Sequence, residues 1–313
     1  MTTNNVLDRL LACTDALVEN AGSMRHWFEL HQGATHGIPD SLERAAIAGA
    51  KFRQVSFAFA SAYQSAIESM FRLDFATSGA FCHTEKGVKK PREMRTELSI
   101  GTGGQLQLSG TKSFVSGGSF AKALFVTAVD AREAHAPSEN RIVVVKINAH
   151  DACTGLRAND LPALPFVSEL SHAKLTLENV DVSDADVLKG DGYSDYIKPF
   201  RTEEDLHIFA ALIGQRLRIS VELGQREFSE AFVALLCAVL SRQNADRTSA
   251  STHIALAGIK TSAQKLFEQH DSTLEASLPN YWKAWQRDKA LMSLAEHAQN
   301  TRTKRAWSHF LDS

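Results

Sequence analysis

The spacing of apolar residues changes period twice along the chain, and this double change most restricts what the chain can fold into. Up to about residue 75 apolar positions recur every three to four residues; after Ser78 short runs alternate; from Thr202 to Ser313 the helical spacing returns. Strands that follow one another without intervening helices predict an antiparallel sheet. The predicted class is therefore α+β. An N-terminal helical domain covers residues 1–76, a middle antiparallel β-sandwich or barrel 77–198, and a C-terminal four-helix bundle 199–313.

Within the first region, Val6, Leu10 and Leu17 share a face with Leu7 and Leu11 and predict a short helix ended by Gly22. Asp40-Ser41-Leu42-Glu43 is a capping-box-like start. From it one helical pattern runs through Ala45, Ile47, Phe52, Val55 and Phe59 to Ile67 and Phe71. His26, His31 and His36 are five residues apart, which places them on no common helical face, so they read as loop or surface positions without a metal. In the middle region Leu106–Leu108, Ala123–Val129, Arg141–Ile147 and Leu170–Val182 are strand-like, and residues 132–140 read as a hairpin loop. The last region holds four helical patterns, the fourth starting at Pro279 and carrying Leu291, Leu294, Ala298, Ala306 and Phe310.

A formal net charge of −2 gives no global attraction to nucleic acid or an anionic membrane. No apolar run approaches the roughly 20 residues that span a bilayer. Cys13, Cys82, Cys153 and Cys237 lack the spacing of a zinc site or a disulfide framework, which fits a reducing compartment. With Asp8, Asp15 and Glu19 near its start, the chain shows no leader-like charge pattern, and a cytoplasmic location is expected.

Three motifs punctuate the β region. They are Phe81-Cys82-His83-Thr84-Glu85; Leu108-Ser109-Gly110-Thr111-Lys112-Ser113-Phe114-Val115-Ser116-Gly117-Gly118; and Ser168-Glu169-Leu170 followed by Asn179-Val180-Asp181-Val182 and Leu188 to Tyr193. Over residues 75–225 this set resembles the acyl-CoA dehydrogenase family, of which the chain would be a shortened, divergent member. The resemblance implies FAD as cofactor and an acyl-CoA-like substrate. It also implies a homodimer or homotetramer, and proton abstraction coupled to hydride transfer to the flavin.

The same resemblance assigns residues. Phe114 and Val115 would cover a ring face, Ser116 would bond the flavin N5, and Thr84 with the backbone of Phe81 and His83 would bond the pyrimidine edge. A plainer reading leaves the Ser and Thr hydroxyls satisfying strand ends. Lys86, Lys89 and Lys90 are candidates for phosphate groups, set against their plain reading as a solvated turn; the family's Pro-Gly-Ala-Gly-Ser-Asp turn is missing. Glu204 is the candidate base, set against its plain reading as a first-turn charge behind an N-cap Thr202. The family's late Tyr-Glu-Gly-type loop is absent. Its Arg-x-x-Phe-Gly segment is replaced by Ser229 to Ala234, with Glu230 near the arginine position. Trp285, Arg287, Arg302 and Arg305 read as packing and pairing residues. Two alternatives accompany the dehydrogenase: a non-catalytic partner subunit, and a flavin-dependent monooxygenase on the same fold.

Overall fold

The computed structural model describes residues 6–12, 15–132, 141–149, 153–293 and 296–311. Cys13, Leu294 and most of the expected hairpin loop at 132–140 lie outside the described residues. The chain divides into two compact units, a helical one (residues 1–69, 164–169 and 201–313) and a sheet unit (70–163 and 170–200).

The helical unit contains α1 (Val6–Ala12), α2 (Met24–Thr35), α3 (Ser41–Gly49), α4 (Val55–Phe71), α5 (Lys198–Glu222), α6 (Arg226–Leu240), α7 (Ala250–Ser277), α8 (Pro279–Asp288) and α9 (Glu296–Leu311); α4 and α5 each run on into residues of the sheet unit. Asp40 caps α3 as its motif predicts, its carboxylate accepting from the Glu43 N–H at 3.0 Å. The single long helix expected from Ser41 to Phe71 is broken. Val18 forms a two-way bridge around Phe52, donating to the Lys51 carbonyl and accepting from the Arg53 N–H (2.9 Å each), so those backbone groups leave the helical ladder. Leu17 likewise falls in an extended stretch, not in α1. His31 corrects its surface assignment: it lies on α2, fully buried, 3.7 Å from Glu68. The fourth bundle pattern divides into α8 and α9.

Two glycines set the crossing of α3 and α5. A Cβ on Gly49 would lie 2.4 Å from the Ala211 carbonyl oxygen, and one on Gly214 would lie 2.4 Å from that of Ala46. The helices touch backbone to backbone there. Farther along, the Arg216 guanidinium lies 4.4 Å from the Trp285 ring centroid and bonds Asp271 at 2.7 Å, which ties α5 to α7 and α8.

The sheet unit holds β1 (Gly79–Cys82), β2 (Glu97–Ile100), β3 (Leu106–Ser116), β4 (Ala123–Asp130), β5 (Ile142–Asn148), β6 (Leu156–Asp160) and β7 (His172–Val182). They form one open seven-stranded sheet in the order β1-β4-β2-β3-β7-β6, with β5 on β4. It is neither closed as a barrel nor wholly antiparallel. β1 and β2 both run parallel to β4, on opposite sides of Thr127, while β5 takes the whole length of the other edge. Two chain segments thus share one strand edge, and what fills the gap between them is ionic.

Lys112 on β3, fully buried, donates to Glu85 (2.7 Å) and to the Thr127 hydroxyl (3.1 Å). Glu85 also accepts from the N–H groups of Arg95 (2.8 Å) and Thr96 (3.1 Å) and from the Thr96 hydroxyl (2.7 Å). Burial pushes the Glu85 carboxyl up, but the Lys112 charge and these donors outweigh it and hold it below its usual value. Burial draws the Lys112 ammonium down to about 8 against the pull of Glu85, so both are charged at neutral pH. Gly110 completes the arrangement: its φ is +148°, and a Cβ there would lie 2.6 Å from the Thr96 Cα.

Lys112→Met is expected to destabilise the protein by about 3 kcal/mol, as when one partner of a buried pair is removed. Glu85 contributes only while ionised. Wild-type stability therefore falls as pH drops below the ordinary carboxyl value of 4.5 and through the lower folded value. The gap between the two urea midpoints should narrow in acid; a gap that does not change with pH would contradict the pair.

Candidate functional site

The sheet unit brings Phe81, His83, Thr84, Phe114, Val115 and Ser116 into one region, whereas Glu204 belongs to the helical unit. Beyond β1 the Thr84 carbonyl accepts from the Ser113 N–H at 2.8 Å, so the two hydroxyl-bearing motifs run side by side. Here β3 carries a bulge. Lys112 pairs with Leu175 and Val115 with Ala173, so two residues of β3 between them, Ser113 and Phe114, stand against one of β7, Lys174. Phe114 takes up the extra residue at φ +56°, a left-handed conformation seldom adopted by an aromatic residue, and is 53% exposed.

The bulge resets which side chains face inward. Leu175 and Ala173 both point to the core, so Lys112 and Val115 do too although they are three positions apart. Val115 is 2% exposed within that core, and Phe114 and Val115 do not share a face. Ser116 falls on the other side, half-buried, opposite His172 on β7. Thr84 is exposed. Among the described residues nothing hydrogen-bonds the hydroxyl of Thr84 or Ser116. Strand ends therefore do not occupy them among the described residues.

Phe81 is buried among aromatic rings, 5.1 Å from Phe71 and 5.0 Å from Phe200 between centroids, with His83 half-buried at 4.9 Å. Phe71 in turn stacks on Phe125 at 3.9 Å. His172 was not singled out by the sequence, since only strand register brings it beside Ser116. Burial lowers its pKa, against a bond between Nδ1 and the Leu170 carbonyl at 3.1 Å, so it is neutral at pH 7. Cys82 is no nucleophile: burial drives its thiol up to about 12 against the Lys112 charge. Lys86 and Lys89 are exposed, and Lys90 lies 3.7 Å from Glu93.

The acidic run near Glu204 is not a helix start. α5 begins four residues before Thr202, at Lys198, and the buried Thr202 hydroxyl caps nothing. The three acids have different fates. Glu203 is paired with Arg247 and lies 3.9 Å from His207; burial raises its pKa, but those charges prevail and lower it. Asp205 accepts from Gln299 (2.9 Å) and Arg302 (3.0 Å). Glu204, half-buried, has no hydrogen bond or ion pair among the described residues. Burial lifts its carboxyl to about 7, with Asp205 adding to the shift and Arg201 and Arg302 opposing it. Glu230, near the position of the family's arginine, bonds Arg226 at 2.7 Å on the surface. Trp285, Arg287 and Arg302 pack and pair as their spacing suggests, while Arg305 is exposed. Among the described residues no group of three or more His, Cys, Asp or Glu could hold a metal ion, and no helix is long and apolar enough to cross a membrane.

No family model matches the chain, and comparison with curated proteins gives no match. Solved structures do. Butyryl-CoA dehydrogenase from Megasphaera elsdenii aligns with a TM-score of 0.68 at 14% identity, over 90% of this chain and 89% of that one. PigA, solved with FAD and proline, aligns at 0.66 and 14% identity over 98% and 96%. The dibenzothiophene monooxygenase TdsC from Paenibacillus sp. A11-2, in an FMN-bound structure, aligns at 0.64 and 15% identity over 92% and 89%. At such identities the likeness is one of fold, and the fold is that of the acyl-CoA dehydrogenases and related flavoproteins.

Proposed function

We propose that the protein is a flavin-dependent oxidoreductase of acyl-CoA dehydrogenase type, with Glu204 removing the α-proton of an acyl-CoA-like thioester. The observation that carries this is the condition of Glu204. It alone in a run of three acids is left unengaged, and burial has raised its pKa to about 7, where a carboxylate is both available and basic enough for general-base work. After accepting the proton it becomes a neutral acid, which its half-buried position tolerates better than the charge.

A bound flavin supplies the hydride acceptor. The unoccupied hydroxyls of Thr84 and Ser116 and the outward-held Phe114 suit the polar edge and apolar face of its ring, with the backbone of Phe81 and His83 beside them. Val115 acts from behind, holding β3 to the core while Ser116 faces out. FAD is the flavin proposed. Lys86 and Lys89, with Lys90, are the candidates to meet phosphate of cofactor or coenzyme. The proposed setting is a cytoplasmic homodimer or homotetramer.

A monooxygenase on this fold is a further proposal; it needs no carboxylate base, and TdsC has the same fold. Oxygen uptake with reduced flavin and an aromatic substrate separates it from the dehydrogenase.

The protein reconstituted with FAD should be yellow, and Ser116→Ala should weaken retention of the flavin while leaving the far-UV spectrum unchanged. A protein that stays colourless with both FAD and FMN would instead favour a non-catalytic partner subunit. Glu204→Gln should keep the flavin and lose about 10²- to 10⁴-fold in turnover. Because the base works deprotonated, wild-type kcat should rise with pH through about 7. Full activity in Glu204→Gln would place the base elsewhere.

A further inference from the structure

The helical unit contains a cavity of about 390 Å³, formed by α1, α2, α3 with the residues just after it, and α5. None of its residues enters the proposed chemistry, although α5 also carries Glu204. Its size lies within the range of about 300 to 1,000 Å³ usual for small-molecule sites. Leu10, Leu30 and Ile47 give it an apolar wall, and Arg9, Lys51 and Arg218 bring three cations against the two carboxylates of Asp15 and Glu29.

Arg218 is the telling residue. It is 6% exposed, yet among the described residues no carboxylate pairs with it. Its one hydrogen bond there is Nη2 to the Asp15 carbonyl at 3.0 Å. Glu222, one turn along α5, is taken by Arg53 at 2.8 Å, and the Asp15 carboxylate is solvent-exposed, 3.9 Å from Lys51. Its remaining donors are accessible, not sealed in, and they match an anion's paired oxygens.

Gly33, an exposed residue, offers a place to test the cavity. It stands inside α2, where glycine disfavours a helix, and it lines the cavity. A Cβ built on it meets nothing within 4 Å, so packing does not require the glycine. A side chain there would take up room beside the cavity wall.

We infer that this cavity binds a small carboxylate with an apolar body, its carboxylate on Arg218 and its chain along Leu10, Leu30 and Ile47. Lys51 and Arg9 add to the local positive charge. The site stands apart from the proposed flavin chemistry and does not depend on it.

Calorimetric titration of the full chain tests this, with decanoate as probe and decanol as its neutral counterpart. Decanoate is expected to bind saturably at one site. Decanol should bind about tenfold or more weakly, the loss of one charge-assisted contact. Arg218→Met should show the same loss, and Gly33→Leu, which adds a side chain to open space and should keep the far-UV spectrum, should abolish binding. No saturable binding of decanoate to the wild type would overturn the inference. So would a Gly33→Leu protein that binds as the wild type does, or decanol binding as tightly as decanoate. Should Arg218→Met fail to fold, Gly33→Leu and the decanol comparison still decide.

Discussion

The reach of Lys112 through the sheet interior to Glu85 is the contact on which the geometry around the candidate site depends. β4 has one edge shared by two short parallel strands, and where they abut the backbone ladder is interrupted at Thr127. An ammonium and a carboxylate fill that gap. With Thr96, Thr127 and the N–H groups of Arg95 and Thr96 they join β3, β4 and the approaches to β1 and β2. Such a pair is costly to desolvate and is sustained only by complete hydrogen bonding. Here Glu85 accepts four bonds, so the charge is well distributed. The residues next to the pair inherit its rigidity: Thr84 adjoins Glu85, and Ser113 to Ser116 follow Lys112.

Backbone strain then decides what those neighbours present. A regular β3 would send Ser116 to the side that Lys112 occupies, because side chains alternate. The extra residue at Phe114 reverses the phase, leaving Val115 to the core and Ser116 outside it. The left-handed φ of Phe114 and its exposure are costs that no packing of the free protein repays, a common condition of ligand-facing positions. Asn179 on β7, at φ +52°, makes the complementary adjustment near the other end of the same strand pair.

In the helical unit, charge is mostly spent on structure. Arg247 holds Glu203, Arg302 holds Asp205, and Arg53 holds Glu222. Arg216 sits among Phe267, Tyr281 and Trp285 while bonded to Asp271. Among the described residues, Glu204, a half-buried carboxylate without a donor, and Arg218, a buried arginine without a carboxylate, fall outside these pairs. Both lie on α5, fourteen residues apart, one with its proton affinity raised by burial and the other beside a cavity. Their separation and opposite charge make them two candidate sites, not one.

Much of the architecture was legible in the chain. The double change of period announced helices, a sheet, and helices again. Asp40 and Pro279 marked helix starts, and the Thr-Glu and Gly-x-Lys motifs marked the region of the candidate site, because capping, φ restriction and alternation are local effects. Legible too, though with a different meaning, were Glu85 and Lys112: the motif named them, and only three dimensions made them partners. The rest could not be read locally. The break between α3 and α4 depends on Val18 bridging a distant segment, and the burial of His31 depends on α4. Strand direction around β4 is a matter of connection, which alternation does not encode. The facing of Ser116 turns on a single bulge, and the freedom of Glu204 and Arg218 on which neighbours were already taken. Sequence determined which segments are helix, strand and cap, since those preferences act over a few residues; tertiary structure decided which charges found partners, since pairing is settled between residues far apart in the chain.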